Sequence, residues 1–273
     1  MNATLTENAA AIRRDVVRMI GMARSGHLAS SLSVVDILAW LYWEVLSIRP
    51  GDPSWEARDR FVLSKGQASP ALYAALANRG YFSRDELWSY RRLGAMLQGY
   101  PQFRRTPGVD APGGVLGQGL GLANGIALAL RTKGNPARVF CLAGEEELRE
   151  GAFWESAMTA SSLGLASVVL LLERRETRFG GSPEDVPVLD PLSGKLSSFG
   201  WVVREGDGHD FSSLRDGLRS LSSGEGRPQC IVAVTRAGKG VSFIENDSSE
   251  GKMVLDRDLV DRALRELGNR EVL

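Results

Sequence analysis

The chain has 273 residues, 43% hydrophobic and 24% charged, enough to bury a sizeable core as one α/β domain spanning residues 1–273. Lys plus Arg (33) balances Asp plus Glu (33) and no dense basic run carries interleaved aromatics, which argues against nucleic acid as a partner. Cys141 and Cys230 lie in apolar stretches like buried thiols of a reducing compartment; with no signal-peptide block and no apolar run approaching the roughly 18 residues of a bilayer span, a cytoplasmic, membrane-free protein is expected.

Apolar residues at helical spacing (Ile12, Val16, Val17, Ile20, Met22, Ala23) predict a helix over about 5–24, with Gly26 placed to end it. A second helix is predicted over about 33–46, where Ser33 and Asp36 fit a capping box opening SVVDILAWLYWEVL. Phe61 to Leu63 reads as a short buried strand, followed by a turn at Ser64 to Ser69 and a helix with Pro70 in its first turn. Ser83 with Glu86 marks another helix start. From Gly113 the chain is a glycine-rich loop that becomes a helix of small residues at about Gly119. RVFCLAG, ASVVLLLE, WVVREGDG and QCIVAVTR then read as strands alternating with the helices EGAFWESAMTASSLG and FSSLRDGLRSL. Unbroken apolar strands alternating with helices predict a parallel sheet flanked by helices on both faces. RETRFGGSPEDVPVLDPLSG reads as a long irregular connection, and so as a functional loop.

Ligands of open parallel sheets bind beyond the carboxyl ends of the strands. After RVFCLAG come Glu145, Glu146 and Glu147; after VVLLL come Glu173, Arg174 and Arg175. The acidic triplet has two readings. It complements a helix dipole by roughly 0.3 to 1 kcal/mol per carboxylate, or it supplies oxygen to a magnesium ion shared with a phosphate. The loop GGVLGQGLG lets backbone approach a diphosphate, or is a structural turn. It follows a proline-glycine loop and not a first βα strand, so it does not carry the nicotinamide dinucleotide fingerprint.

Taken together, GHLASSLSVVDILAWLYWEVL, RFVLSKGQASPALYAAL, LQGYPQF, GGVLGQGLGLANGIALAL, GEEELREGAFWESA, DGHD and GKGVSFIEN resemble the N-terminal domain of transketolases in order and spacing, over roughly residues 10 to 250. The resemblance implies the diphosphate-type thiamine diphosphate fold, with thiamine diphosphate and Mg2+ as cofactors and a sugar or sugar-phosphate-like substrate. It also implies that the pyrimidine-binding and C-terminal domains belong to a separate C-terminal transketolase-like subunit, giving a hetero-oligomer built on a dimer. Carried over residue by residue, it places Gly114, Leu116, Gly117, Gln118, Gly119 and Gly144 along the diphosphate site. His27 and Gln67 fall near the substrate, and Glu150 matches a glutamate that couples paired sites.

Departures from the family pattern are concentrated at chemical positions. Gln67 and Tyr100 stand where the family has histidines, and neither titrates near neutral pH. The family's metal-binding aspartate is here Glu145, the following glycine is Glu146, the metal-binding asparagine is Arg175, and the backbone-carbonyl ligand falls at Thr177. Arg175 would put a fixed positive charge where a dication sits. His209 in DGHD reads as a structural turn histidine ahead of a proton carrier, and Lys239 in GKG as either solvated or phosphate-facing. Three functional readings stay open: an active ketol transferase subunit; a diverged enzyme in which Arg175 replaces magnesium or the ligand has changed; and a non-catalytic scaffold in which Glu145 or Glu146 pairs with Arg175.

Overall fold

A computed structural model describes residues 4–176, 190–221, 226–245 and 255–268. Helix α1 (Leu5–Ala23) opens on a capping box beyond those expected from the sequence: Glu7 N–H donates to Thr4 Oγ1 at 3.2 Å and Thr4 N–H to the Glu7 carboxylate at 2.6 Å. Arg24, not Gly26, adopts the left-handed cap, at φ 48° directly after Ala23.

The single helix expected over 33–46 is broken into α2 (Leu28–Leu32), α3 (Val35–Trp40) and a π-helical turn at Leu41–Val45. Neither Ser33 nor Asp36 caps the start of α3 with its side chain, because both reach distant partners. Ser33 Oγ donates to Glu173 at 2.6 Å, and Asp36 faces Arg13 and His209. The Leu28–Val45 stretch also corrects the reading that no apolar run approaches a bilayer span. Its 18 residues have mean hydropathy 1.3, but 78% of the stretch is buried inside the protein, so core packing explains its composition.

The sheet comprises β1 (Arg60–Leu63), β2 (Val139–Gly144), β3 (Val168–Arg175), β4 (Val202–Asp207) and β5 (Gln229–Thr235), all parallel, in the order β1-β2-β3-β5-β4. Side chains alternate across it. Phe140 and Leu142 join one core with residues of α1, α3, α4 (Ser69–Arg79), α8 (Phe211–Leu221), α9 (Ser242–Glu245) and α10 (Arg257–Glu266). Val139, Cys141 and Ala143 join the other, with α5 (Gly119–Thr132), α6 (Gly151–Ser162) and α7 (Leu192–Ser198). Cover on both faces is why β2 and β3 read as continuous apolar runs, and each fully buried Leu, Ile, Val or Phe contributes about 1.5–3 kcal/mol. Both thiols are buried and free, as expected. The helix start at Ser83 materialises only as a 3-10 segment, Arg84–Ser89, in which Ser83 Oγ accepts from Asp85 N–H at 3.3 Å. Most of the long connection expected to be a functional loop, 177–189, lies outside the described residues.

Candidate functional site

Parallel strands end together, so the residues leaving β1, β2, β3 and β5 converge. Gly144 pairs in register with Glu173, and Arg175 with Thr235, while Ser64 and Lys65 follow β1 directly. At the bottom of this cluster Lys65 Nζ donates to Glu173 Oε2 at 2.6 Å, with side-chain exposures of 1% and 0%. The other Glu173 oxygen, Oε1, accepts from Ser33 Oγ at 2.6 Å and Thr235 Oγ1 at 3.0 Å. Burial pushes the Lys65 ammonium below its usual range, and Glu173 works against that shift. Sequence reasoning did not anticipate this network, although a signal for it exists: a charged residue near the end of an unbroken apolar strand needs a buried countercharge, and Lys65 follows a neighbouring short apolar strand.

Above it lies Arg175, whose guanidinium contacts Glu146 directly and has Nε 3.9 Å from Glu145 Oε1. Arg175 is 7% exposed, Glu145 16% and Glu146 34%, so the carboxylates close over the guanidinium from the solvent side. Burial raises the Glu145 pKa, with Arg175 pulling it back, and burial lowers that of Arg175. Glu147 is also buried. It accepts from Gly144 N–H at 3.0 Å, Gly117 N–H at 2.9 Å and the Ser64 hydroxyl, and Ser64 Oγ in turn accepts from Gly119 N–H at 3.1 Å. Burial raises its pKa against these donors. The carboxylate triplet therefore splits into distinct roles: Glu147 pins the glycine loop to the strand end, while Glu145 and Glu146 hold Arg175.

The glycine loop is shaped by close approach. Gly114 sits at φ 113°, where a Cβ would lie 2.8 Å from the Tyr100 ring, and Gly117 at φ 77°, where one would lie 2.6 Å from Glu150 Cβ. Tyr100 thus packs over this loop. Leu116 is half-buried, Gln118 is exposed ahead of α5, and Glu150 is exposed ahead of α6. His27 precedes α2; partial burial, then Arg91 and Lys65, hold its pKa below the usual 6.5, so the imidazole is neutral at pH 7. Gln67 is held nearby by its backbone carbonyl, which accepts from Ser31 Oγ at 3.4 Å, while Ser31 Oγ also donates to the His27 carbonyl at 2.8 Å. Gln67 Oε1 is buried and has no hydrogen-bond partner among the described residues.

His209 stands away from this cluster. Its Nε2 accepts from Arg236 N–H at 2.8 Å, so the proton is on Nδ1, which donates to Asp36 at 2.7 Å. With both ring nitrogens engaged it is a structural histidine. Lys239 lines a cavity with Arg13, Asp36 and His209, and its carbonyl accepts from Arg13 Nε at 3.0 Å. Thr177 lies outside the described residues.

The chain that folds into this sheet and glycine loop matches the family described as transketolase, thiamine diphosphate binding domain, over residues 5–271. The chain belongs to that family. As a transketolase-type chain it is 36% identical over 263 residues to the 6-deoxy-6-sulfo-D-fructose transketolase subunit SqwG of Clostridium sp. (strain MSTE9), covering 96% of each protein. It is also 36% identical to an apulose-4-phosphate transketolase subunit of Actinobacillus succinogenes, covering 96% of this chain and 95% of that protein. Transketolase from Leishmania mexicana superposes with a TM-score of 0.89 at 27% identity, over 98% of this chain and 42% of that one. The chain thus spans about two fifths of that solved transketolase, while it matches relatives named as subunits nearly end to end.

The family's divalent cation does not fit the residues present. Each carboxylate at the strand ends is already answered: Glu173 by Lys65, Glu145 and Glu146 by Arg175, Glu147 by two N–H groups and a hydroxyl. Among the described residues no group of three or more His, Cys, Asp or Glu side chains is arranged to hold a metal ion. A dication about 4 Å from the Arg175 guanidinium would be repelled by roughly 8 kcal/mol at an effective dielectric near 20.

Proposed function

We propose that this chain is the diphosphate-domain half of a two-chain transketolase-type enzyme that moves a two-carbon ketol unit from a keto-sugar, or its phosphate, to an aldehyde. The observation that carries this reading is the end-to-end match to proteins named as transketolase subunits. A surface for the second chain supports it. Helices α5 and α6 pack side by side and leave Leu122 (39%), Leu128 (39%) and Met158 (44%) exposed, with Val115 (68%) on the loop leading into α5. Exposed Gly125, with open space where a Cβ would stand, would let a partner backbone come close. Clustered exposed apolar residues of this kind mark association surfaces.

In this reading His27 and Gln67 meet the sugar. Neutral His27 exchanges a proton with a substrate hydroxyl, and Gln67 Oε1 accepts a hydroxyl hydrogen bond, orienting without titrating. Thiamine diphosphate, when bound, would supply the carbanion stabilisation that breaks the sugar's carbon–carbon bond. The single domain over 1–273, the cytoplasmic location and the hetero-oligomer built on a dimer belong to the same proposal. The test is co-expression with a C-terminal transketolase-type chain and detection of two-carbon transfer from a ketose phosphate to an aldose phosphate by product NMR. Transfer that needs both chains is expected. A stable complex with no transfer would sink the catalytic reading and favour a scaffold.

A further inference from the structure

We propose that Arg175 is the resident cation of this site, held by Glu145 and Glu146, and that the site binds no divalent metal ion. The proposal rests on the family reading above, because that reading says where a metal would otherwise sit. Three observations converge on it. The last residue of β3 is an arginine whose side chain is 7% exposed, so its charge is built into the strand ends and not a mobile surface group. The two carboxylates that leave β2 both turn onto that guanidinium: Glu146 in direct contact, Glu145 at 3.9 Å from Nε and also taking the Arg175 backbone N–H. Finally, a Cβ on Gly144 would lie 2.6 Å from Glu146 Oε2, so the strand-end glycine is what lets Glu146 fold back over the site.

Charge and ligand chemistry point the same way. A hard dication needs several oxygens free of competing donors, and here the oxygens are engaged by a guanidinium that cannot lose its proton at physiological pH. A planar fork is itself a good partner for a phosphoryl group. Glu146, the more exposed of the pair, is the group an incoming anion would displace. The three substitutions are consequently one compensated unit: Arg175 would be an uncompensated buried charge without the carboxylates, and the carboxylates would repel a diphosphate without Arg175.

The test is Mn2+ titration by electron paramagnetic resonance, with thiamine diphosphate in excess, on the chain purified together with its partner. Arg175→Asn combined with Glu145→Asp and Glu146→Gly serves as the comparison. The unaltered protein is expected to hold no Mn2+ beyond what thiamine diphosphate alone binds in a protein-free control, and the triple variant to gain roughly tenfold or more in Mn2+ affinity. One tightly held Mn2+ per chain in the unaltered protein, displaced by Mg2+, would overturn the proposal. So would a folded triple variant that gains nothing. If the triple variant does not fold, Arg175→Gln alone is titrated, and the same gain or its absence decides. Absent ketol transfer by the same complex would defeat the functional reading above while leaving the Mn2+ count to stand by itself.

Discussion

Replacing Lys65 by methionine tests the claim that a completed ion network lies under the strand ends. The ammonium is 1% exposed and the Glu173 carboxylate 0%, separated by 2.6 Å. Methionine fills nearly the same volume, so cavity formation contributes little, and what is lost is the only cationic partner of Glu173 among the described residues. Glu173 keeps hydroxyl donors from Ser33 and Thr235 but no countercharge. Removing one member of a buried pair costs about 3–5 kcal/mol, a large share of the roughly 5–15 kcal/mol that holds a domain folded. The double variant Lys65→Met, Glu173→Leu removes both charges and leaves two hydroxyls to satisfy. Ser33 has an alternative acceptor in the Ser30 carbonyl at 3.1 Å, so the double should be more stable than Lys65→Met alone. The assay is urea unfolding followed by far-UV circular dichroism, with stability taken from the midpoint at unchanged slope. A Lys65→Met cost below about 1 kcal/mol, or a double variant as unstable as the sum of the singles, would refute the pairing argument.

Other expectations follow from neighbouring features. Burial works against the Asp36 carboxylate, but the His209 hydrogen bond and Arg13 prevail and hold its pKa below the ordinary 3.8. A depressed carboxylate contributes stability above its unfolded value and loses it as pH falls through the folded one; the advantage of the parent over Asp36→Asn should therefore be full above pH 3.8 and shrink below it, as read by acid unfolding. Equal pH profiles for the two proteins would argue against it. Gly117→Ala places a Cβ against Glu150 at φ 77° and should cost roughly 2 kcal/mol or more in the same urea assay, whereas Gly125→Ala, with open space around it, should be neutral within about 1 kcal/mol. Leu122→Asp, on the exposed face of α5, should leave the chain folded within about 0.5 kcal/mol yet abolish co-purification with the second chain; retention of the complex would move the interface elsewhere.

The sequence by itself determined the architecture, because the signals involved are local or periodic. Unbroken apolar runs such as VVLLL, alternating with helical segments, read as strands covered on both faces, the helix of small residues begins at Gly119 as read, and the order of strand ends and glycine loop sufficed to assign the family. It also placed Arg175 opposite Glu145 and Glu146, because the family's spacing locates all three. What it misjudged was decided by partners far away in the chain. Ser33 and Asp36 have the spacing of a cap, yet Glu173 lies 140 positions from Ser33 and His209 lies 173 from Asp36, and burying an unpaired charge costs more than a cap contributes. For the same reason Glu147 could not be told from its two neighbours. Three adjacent carboxylates look alike in a sequence; only the folded chain turns one inward onto the Gly117 and Gly144 amides and two outward onto a guanidinium brought in by the next strand.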